Sequence, residues 1–434
     1  MRVAVIALGK IGLPLAVQIA SKGHDVVGVD VSESVVESVN RGVAHFPGEV
    51  GLDEKLAAVV GDGALRAITD TTSAVADSDV VVVVVPLMTD EAGIPDFSAM
   101  DAATKAIGAG LQPGTLVSYE TTLPVGTTRQ RFGPMLEELS DLSLGEDFYL
   151  VHSPERVFSG RIFADLRRYP KLVGGVDEES TKKGVSFYEQ VLDFDERSDL
   201  DRPNGVWPLE SAEAAELAKL AETTYRDVNI ALANEFAEFA ETAGIDIGEV
   251  IAASNSQPFS HIHRPGVAVG GHCIPVYPRF YLSGHPGAAL VETARRVNLD
   301  VPGRVVAAVV NALGGLSGRT VVVLGAAYRG GVKGAAYSGV FDLVSAIESA
   351  GGRPVVSDPL YEDAELRAMG LEPWDGTGID AAIVQTDHTE YRSLSPADLP
   401  GVEVVFDGRR ILDPDAWEGS ETKLMVIGQG SKTR

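Results

Sequence analysis

Short apolar runs alternate with amphipathic segments along the first part of the chain. Residues 2–6 form one run, and a second run, Val26–Val29, ends on Asp30. The segment between them has apolar residues at helical spacing, which predicts a strand, a turn, a helix and a second strand. Three later runs repeat the alternation: Val80–Val85, Thr115–Tyr119 and Phe148–His152. Nearly continuous valine is typical of strands buried on both faces, so we predict a parallel sheet covered by helices.

A long helix and a second α/β region follow. Between 208 and 245 no proline follows position 208, no glycine precedes position 244, and apolar residues recur at helical spacing. Strand-like runs return at 320–325, 354–357 and 379–385, around a helical pattern at 339–350. We therefore predict an α/β fold with two Rossmann-like, doubly wound parallel-sheet domains joined by a central helical region with one long helix. The predicted domains cover 1–205, 206–310 and 311–434.

Composition narrows the class of protein. The chain has 434 residues, and its 36 Lys+Arg against 62 Asp+Glu leave a formal net charge of -26. This balance argues against binding to a nucleic-acid backbone, which requires a basic face. Such an acidic composition is typical of proteins that work in high salt. The start of the chain lacks the pattern of a signal peptide and no apolar run is long enough to span a membrane, so we predict a soluble, cytoplasmic protein.

The first predicted strand-to-helix turn has the chemistry of a phosphate-binding loop. It reads Ala7-Leu8-Gly9-Lys10-Ile11-Gly12, with alanine at the first glycine position of the dinucleotide fingerprint. This alanine is the main departure from the fingerprint, and its methyl group can be accommodated if the local φ is negative. Asp30 follows Gly12 by 18 residues and is placed to accept hydrogen bonds from ribose hydroxyls, which favours NAD over NADP. The alternative interpretation is that this segment is only a tight strand-to-helix connection and binds no ligand.

The single cysteine lies in a loop. Cys273 follows Gly270-Gly271-His272 and precedes Ile274-Pro275, so one cysteine sits beside a histidine in a tight turn. It cannot form an internal disulfide, and it cannot supply a thiolate cluster for structural zinc. The two interpretations left open are an activated thiolate and a buried structural thiol.

Several motifs in collinear order carry a family resemblance. They are GVAVGGHCIP around the cysteine, TTLPVGTT at 121–128, SPERVFSGR at 153–161, KLAETTYRDVNIALANE at 219–235, VLGAAYRGGVK at 323–333 and TDHTEY at 386–391. With them the chain resembles the UDP-sugar 6-dehydrogenases, and among these it is most similar to the branch that oxidises UDP-N-acetylmannosamine. The resemblance implies a metal-free, four-electron oxidation that uses two NAD in succession. A cysteine thiohemiacetal and then a thioester lie on the path, and a homodimer is formed through the helix at 211–240.

The resemblance also implies roles for individual residues. Cys273 is the expected nucleophile, Glu155 the acid/base that activates water, and Lys219 the cation that stabilises the C6 oxyanion. Thr122 is expected beside the nicotinamide or the water. The implied cofactor contacts are Gly9, Lys10, Ile11, Gly12, Asp30, Pro86, Thr122 and Arg329. The implied substrate contacts are Glu155, Arg156, Lys219, Asn229, Arg264, Gly266, Gly270, Gly271, Tyr328 and Lys333.

Each role has a structural alternative. Glu155 could pair with Arg156, and Lys219 could pair with Glu216 one helical turn away. The chain also departs from the family pattern, with Thr223 where asparagine is usual and Tyr277 where aspartate is common. In the C-terminal region the stretch 329–338 lacks the usual acids and arginine. UDP-glucose or UDP-N-acetylglucosamine remain alternative substrates, because only the GGHC signature separates the branches. The changes at Thr223 and Tyr277 permit a catalytically silent nucleotide-sugar binder as a lower alternative.

Overall fold

The computed structural model describes residues 1–90 and 93–430. Two compact units divide the chain: the N-terminal unit, Met1–Ala221, and the C-terminal unit, which begins at Glu222. Each unit contains one large sheet with helices packed on it. The predicted α/β class with Rossmann-like sheets and a central helical region is confirmed.

The N-terminal unit is built on an eight-stranded sheet. Its strands lie in the order β3-β2-β1-β4-β7-β8-β9-β10. The six strands from β3 to β8 in this order have the arrangement of a dinucleotide-binding fold. Only the β8–β9 pairing is antiparallel among its described strand pairs. The strands are β1 (Arg2–Ile6), β2 (Asp25–Val29), β3 (Leu65–Ile68), β4 (Val80–Val83), β7 (Leu116–Tyr119), β8 (Tyr149–His152), β9 (Lys171–Gly175) and β10 (Val206–Leu209). A small hairpin adds β5 (Met88–Thr89) and β6 (Pro95–Asp96).

Helices cover this sheet and bury its valine-rich strands. They are α1 (Gly12–Ser21), α2 (Glu33–Asn40), α3 (Leu52–Gly61), α4 (Thr71–Ala76), α5 (Ser98–Gly110), a π-helix (Thr128–Phe132), α6 (Gly133–Ser140), α7 (Ile162–Arg168) and α8 (Glu178–Val191). Val3, Val5, Val26 and Val82 are buried in the main core. Continuous burial of the strands explains why their sequence lacks the alternation of a half-exposed sheet.

One helix, α9 (Ala212–Ala243), runs across the boundary between the units. It starts later than the sequence pattern suggests, because Val206–Leu209 form β10 instead. Pro208 is tolerated there because, among the described strands, β10 lies at the edge of the sheet beside β9.

The C-terminal unit carries a five-stranded parallel sheet in the order β12-β11-β13-β14-β15, the flavodoxin-like arrangement. Its strands are β11 (Thr320–Leu324), β12 (Arg353–Ser357), β13 (Ala381–Val384), β14 (Val404–Asp407) and β15 (Lys423–Val426). Its helices are α10 (Ile247–Ser254), α11 (Tyr277–Gly284), α12 (Ala289–Leu313), α13 (Gly339–Ser349) and α14 (Asp363–Ala368), with 3-10 turns at Thr389–Ser393 and Pro414–Trp417.

Candidate active site

The turn between β1 and α1 is shaped by two close backbone approaches. Ala7 has φ 74°, so the condition of a negative φ at this position is not met. A methyl group in the left-handed region costs about 1 kcal/mol, which the surrounding turn offsets. Gly12 cannot be replaced, because an added Cβ would stand 1.9 Å from the carbonyl oxygen of Ala7. The turn is therefore fixed by glycine where α1 meets β1.

The same turn leaves room for a dinucleotide. A Cβ on Gly9 would meet nothing within 4 Å, and Gly9 and Lys10 are exposed while Ile11 is half-buried. The Asp30 carboxylate accepts hydrogen bonds from the backbone N–H groups of Leu8 and Ser32, both at 3.0 Å. This carboxylate thus lies beside the turn at the end of β2. Open space above a glycine, a helix N-terminus and a carboxylate together fit the diphosphate and ribose of NAD.

The TTLPVGTT loop lies at the carboxyl end of β7. Thr121 donates its hydroxyl hydrogen to the Val85 carbonyl at 2.7 Å, next to exposed Pro86 at the end of the neighbouring strand. Thr122 is buried, at 4% exposure. The structure thus brings Pro86 and Thr122 to the carboxyl edge of two paired strands, the edge where ligands bind in such sheets.

Glu216 on α9 holds this loop, which sequence reasoning did not foresee. Its carboxylate accepts hydrogen bonds from the backbone N–H of Gly126 (2.5 Å), the backbone N–H of Thr128 (2.8 Å) and the Thr128 hydroxyl (2.7 Å). The side chain is fully buried, and burial raises the pKa of Glu216 to about 7 despite those bonds. Glu216 is therefore a buried anchor for the loop rather than a surface acid.

We predict that Glu216→Ala lowers the free energy of unfolding by about 2–4 kcal/mol, because three donors lose their buried acceptor. Glu213→Ala is the matched control on the same helix, since its ion pair with Arg129 is part-exposed and contributes about 1 kcal/mol or less. Denaturant unfolding of both variants measures the difference. Equal losses from the two substitutions would contradict the anchoring role.

Glu155 belongs to a buried cluster of charges. Lys171, the first residue of β9, donates to Glu155 Oε2 at 2.9 Å and to Glu120 Oε2 at 2.6 Å. The backbone N–H of Arg156 donates to the other Glu155 oxygen at 2.6 Å. The Glu155 side chain is 11% exposed, compared with 5% for Lys171 and 0% for Glu120. The sequence-predicted acid/base thus has two charged partners that the motifs did not indicate.

These contacts shift the acidity of all three groups. Burial raises the pKa of Glu155, but attraction and hydrogen bonding by Lys171 outweigh it, so the net shift is downward. Burial raises the pKa of Glu120 to about 7, against the attraction of Lys171 and with added repulsion from Glu155. Burial lowers the pKa of Lys171, but its two carboxylate partners outweigh that effect and raise it. Lys171 therefore stays charged between two acids of different strength.

Lys219 lies one turn after Glu216 on α9 and is 7% exposed. Glu216 and Thr223, one helical turn before and after it on the same face, are also buried, so Lys219 lies on a buried stripe of the helix. A buried ammonium is suited to stabilising an oxyanion, because a low dielectric strengthens the interaction.

In the C-terminal unit, Cys273 is exposed, which excludes the interpretation of a buried structural thiol. Its carbonyl accepts the N–H of Tyr277 at 2.9 Å, at the start of α11. Gly270 and Gly271 bring the preceding chain against Tyr328: an added Cβ would stand 2.8 Å from the Tyr328 Cβ in the first case and 3.0 Å from its ring in the second. Gly271 also has φ 89°. These two glycines are thus required by packing on Tyr328, whatever ligand binds.

A buried polar network holds both ends of the cysteine loop. Asn234 accepts the N–H of Gly266 at 3.0 Å and donates to Asn298 Oδ1 at 3.0 Å. Asn298 and Arg295 of α12 both donate to Asp227 Oδ1, at 2.8 and 2.7 Å. Arg295 also reaches the Ile274 carbonyl at 3.5 Å. Helices α9 and α12 therefore fix the residues before and after Cys273.

The remaining predicted contact residues, Asn229, Arg264, Lys333 and Arg329, differ in burial and in hydrogen-bond partners. Asn229 donates to the His261 carbonyl at 2.8 Å and accepts the N–H of His263 at 2.9 Å, so it pins the chain before the cysteine loop. Arg264 is exposed. Lys333 pairs with Glu365 at 2.6 Å on the surface, and Arg329 is half-buried in the turn after β11.

The turn after β11 resembles the β1–α1 turn, because in both an aspartate at the end of the next strand accepts hydrogen bonds from backbone N–H groups of the turn. Asp358, at the end of β12, accepts the N–H groups of Ala326 and Ala327 at 2.7 and 2.9 Å, and it contacts buried His388 at 3.1 Å. Arg409 after β14 was not foreseen; it donates to the Gln385 carbonyl and lies beside Gly266. The sequence pattern that could have indicated Arg409 is the run Asp-Gly-Arg at 407–409, which begins at the last residue of the buried strand β14.

Comparison with known proteins decides the family. Models of the UDP-glucose/GDP-mannose dehydrogenase family match residues 1–192 (NAD binding domain), 213–300 (central domain) and 322–414 (UDP binding domain). The chain belongs to the UDP-glucose/GDP-mannose dehydrogenase family. The chain is 35% identical to a UDP-N-acetyl-D-mannosamine dehydrogenase from Pyrococcus horikoshii, over 95% of this chain and 96% of the relative.

Solved structures of the family agree. A UDP-N-acetylmannosamine dehydrogenase structure from Pyrococcus horikoshii has a TM-score of 0.88 and 32% identity, covering 99% of this chain and 100% of that one. An NDP-N-acetyl-D-galactosaminuronic acid dehydrogenase from Methanosarcina mazei has a TM-score of 0.84 and 30% identity, covering 99% and 95%. Family membership makes NAD the cofactor and oxidation of a UDP-sugar the reaction class.

Two residues that depart from the family pattern lie near the proposed chemistry in sequence. Thr223 is buried at 3% exposure, and Tyr277 is half-buried at the first position of α11. Both keep a hydroxyl group. Within 1–90 and 93–430, no group of three or more His, Cys, Asp or Glu side chains is arranged to hold a metal ion. Over those same residues, no helix is both long and apolar enough to cross a membrane.

Proposed function

We propose that the protein oxidises the C6 hydroxyl group of a UDP-N-acetylamino sugar to the uronate, with UDP-N-acetyl-D-mannosamine as the preferred substrate. The observation that carries the proposal is the exposed Cys273 on a loop whose two ends are fixed by Asn234 and Arg295. An exposed, positioned thiol is suited to covalent catalysis. The similarity to relatives named UDP-N-acetyl-D-mannosamine dehydrogenase favours the substrate.

The proposal assigns the reaction to three side chains. Bound NAD supplies the hydride acceptor, and two equivalents are needed for four electrons. Cys273 Sγ adds to the C6 aldehyde to give a thiohemiacetal, which loses a second hydride to become a thioester. Lys219 stabilises negative charge on the C6 oxygen during these steps. Glu155 accepts a proton from the water that attacks the thioester, and Cys273 leaves as thiolate.

The cofactor side of the proposal rests on the N-terminal unit. Gly9, Lys10, Ile11 and Gly12 receive the diphosphate and Asp30 the ribose, while Pro86 and Thr122 border the nicotinamide. Asp30 repels a 2′-phosphate, so NAD is preferred over NADP. In the C-terminal unit we assign the UDP-sugar to the glycines of the cysteine loop, Tyr328, Arg264 and Lys333, with Asn229 fixing the loop. Arg329 of the same unit is assigned to the cofactor.

An apolar face on α9 supports a homodimer. Tyr225, Leu232, Phe236 and Phe239 follow helical spacing and are 52%, 40%, 40% and 72% exposed. Exposed aromatic and aliphatic groups in such a row are typical of an interface between subunits. Sedimentation of the purified protein is expected to show a dimer, and a monomer would contradict this assignment.

The net charge of -26 supports adaptation to a saline cytoplasm. Both NAD and a UDP-sugar are anions, and high salt screens their repulsion by an acidic surface. We therefore expect kcat/KM to rise with salt. A uronate product suits the building of surface polysaccharides.

A panel of substrates tests the proposal. Purified protein is incubated in molar salt with NAD and one of four sugars: UDP-N-acetylmannosamine, UDP-N-acetylglucosamine, UDP-N-acetylgalactosamine or UDP-glucose. We expect the highest kcat/KM with UDP-N-acetylmannosamine. NADH formation from UDP-glucose alone would contradict the substrate, and binding without any turnover would favour a silent nucleotide-sugar binder.

A further inference from the structure

Glu155 shares the ammonium group of Lys171 with a second acid, Glu120, which the mechanism above does not use. Glu120 follows β7 and Glu155 follows β8, so both carboxylates lie at the carboxyl edge of two paired parallel strands. The backbone N–H of Glu155 donates to the Glu120 carbonyl at 3.1 Å, so the segments that follow β7 and β8 are also linked by a backbone hydrogen bond. Lys171 reaches one oxygen of each carboxylate, at 2.6 and 2.9 Å.

The burial of the two acids differs. Glu120 is completely buried, and its second oxygen accepts the Tyr188 hydroxyl hydrogen at 2.6 Å. That hydroxyl also lies 2.7 Å from the Ser118 hydroxyl. Glu155 keeps 11% of its side chain exposed. Water can therefore reach Glu155, whereas Glu120 forms the closed end of the cluster.

The charges in this cluster do not balance. Two carboxylates face one ammonium, and burial makes a second negative charge costly. Tyr188 of α8 and His152 of β8 are titratable side chains that also face the cluster. Burial and the charge of Lys171 lower the pKa of His152 to about 3, so it stays neutral. Burial and repulsion by Glu120 raise the pKa of Tyr188, so it stays protonated.

A general base next to a lone ammonium is weakened, because the ion pair stabilises its ionised form. A second carboxylate on the same ammonium opposes that effect. We propose that Glu120 is a positioning residue that acts on Glu155 through Lys171: its carboxylate accepts a second hydrogen bond from the same ammonium, and so offsets part of the Lys171 charge and keeps Glu155 adequately basic. This inference rests on the proposed function, in which Glu155 activates water. Both Glu120 oxygens accept hydrogen bonds, from Lys171 and from Tyr188, as expected of an ionised carboxylate.

The experiment follows hydrolysis of the covalent intermediate against pH. Enzyme is mixed with UDP-N-acetyl-D-mannosamine and NAD, transferred briefly to buffers from pH 3 to 9, quenched at intervals, and the acyl adduct on Cys273 is measured by intact mass. In Glu120→Gln the uncompensated charge of Lys171 acts on Glu155 alone. In the plot of hydrolysis rate against pH, the acidic limb is then expected to move about one pH unit lower. The maximal rate, reached on the plateau at higher pH, is expected to fall about tenfold.

Lys171→Gln gives the opposite expectation. Without the ammonium the two carboxylates repel each other, so the acidic limb moves to higher pH. Ser118→Ala is the matched control, because it removes a buried hydroxyl from β7 without changing a charge, and its limb is expected to stay in place. Opposite shifts in two variants cannot come from loosened packing.

The outcomes separate this inference from the proposed function. If Glu120→Gln slows hydrolysis equally at every pH, Glu120 is a structural clamp and the inference is wrong. If both charge variants shift the limb in the same direction, it is also wrong. If Glu155→Gln hydrolyses its adduct at the wild-type rate, the proposed base is wrong.

Discussion

Cys273→Ala is expected to lower the rate of NADH formation at saturating UDP-sugar and NAD by about 10³-fold or more. Without Sγ no thiohemiacetal forms, so the aldehyde is not held for a second hydride transfer and no thioester follows. Cys273→Ser is the closest match in shape and is expected to lose activity as well, because a hydroxyl is a much weaker nucleophile than a thiolate. NADH absorbance under steady-state conditions measures both.

NAD affinity provides the control for folding. Apart from Arg329, the proposed cofactor residues lie in the N-terminal unit, whereas Cys273 lies in the C-terminal unit. Fluorescence titration with NADH is therefore expected to give wild-type affinity for both cysteine variants. Wild-type turnover by Cys273→Ser would show that the thiol is not the nucleophile.

Glu155→Gln is expected to slow thioester hydrolysis by about 10²–10⁴-fold while leaving the two hydride transfers faster than hydrolysis. Glutamine keeps the shape of the side chain and an oxygen for Lys171, but it cannot accept a proton from water. Stopped-flow absorbance should then show a burst of two NADH per active site, followed by slow turnover. The acyl adduct on Cys273 should accumulate in the same samples.

A surface acid gives the matched control for this second substitution. Glu178 on α8 is 85% exposed and pairs with Lys182. Glu178→Gln in the same unit removes one carboxylate without touching the buried cluster, and it is expected to turn over at the wild-type rate. If Glu155→Gln shows neither a burst nor an adduct, water activation belongs to another group.

Local patterns were enough to predict both sheets and the long helix. Runs such as 80–85 are apolar because their strands are buried on both faces. Such a run can be recognised from a few consecutive residues, without knowledge of the rest of the fold. The β1–α1 turn was equally local, apart from the backbone of Ala7. Ala7 has a positive φ, and its carbonyl lies close against Gly12; neither feature can be predicted from single-residue preferences.

The supporting side chains of the site could not be predicted in this way. Lys171 meets Glu120 across 51 positions, and Glu216 meets Gly126 across 90. Each is an ordinary charged residue in its own segment, and only the pairing of strands and the packing of α9 give it a buried partner. The motifs identified Glu155 and Cys273, whereas the network that sets their environment emerges from the fold.

The number of NADH molecules formed per UDP-sugar consumed tests the central claim most directly. A limiting, weighed amount of UDP-N-acetyl-D-mannosamine is oxidised to completion with excess NAD, and NADH absorbance is compared with the uronate measured by mass spectrometry. Covalent capture by Cys273 predicts two NADH for each uronate and no free aldehyde. One NADH per sugar, with the aldehyde as product, would contradict the account.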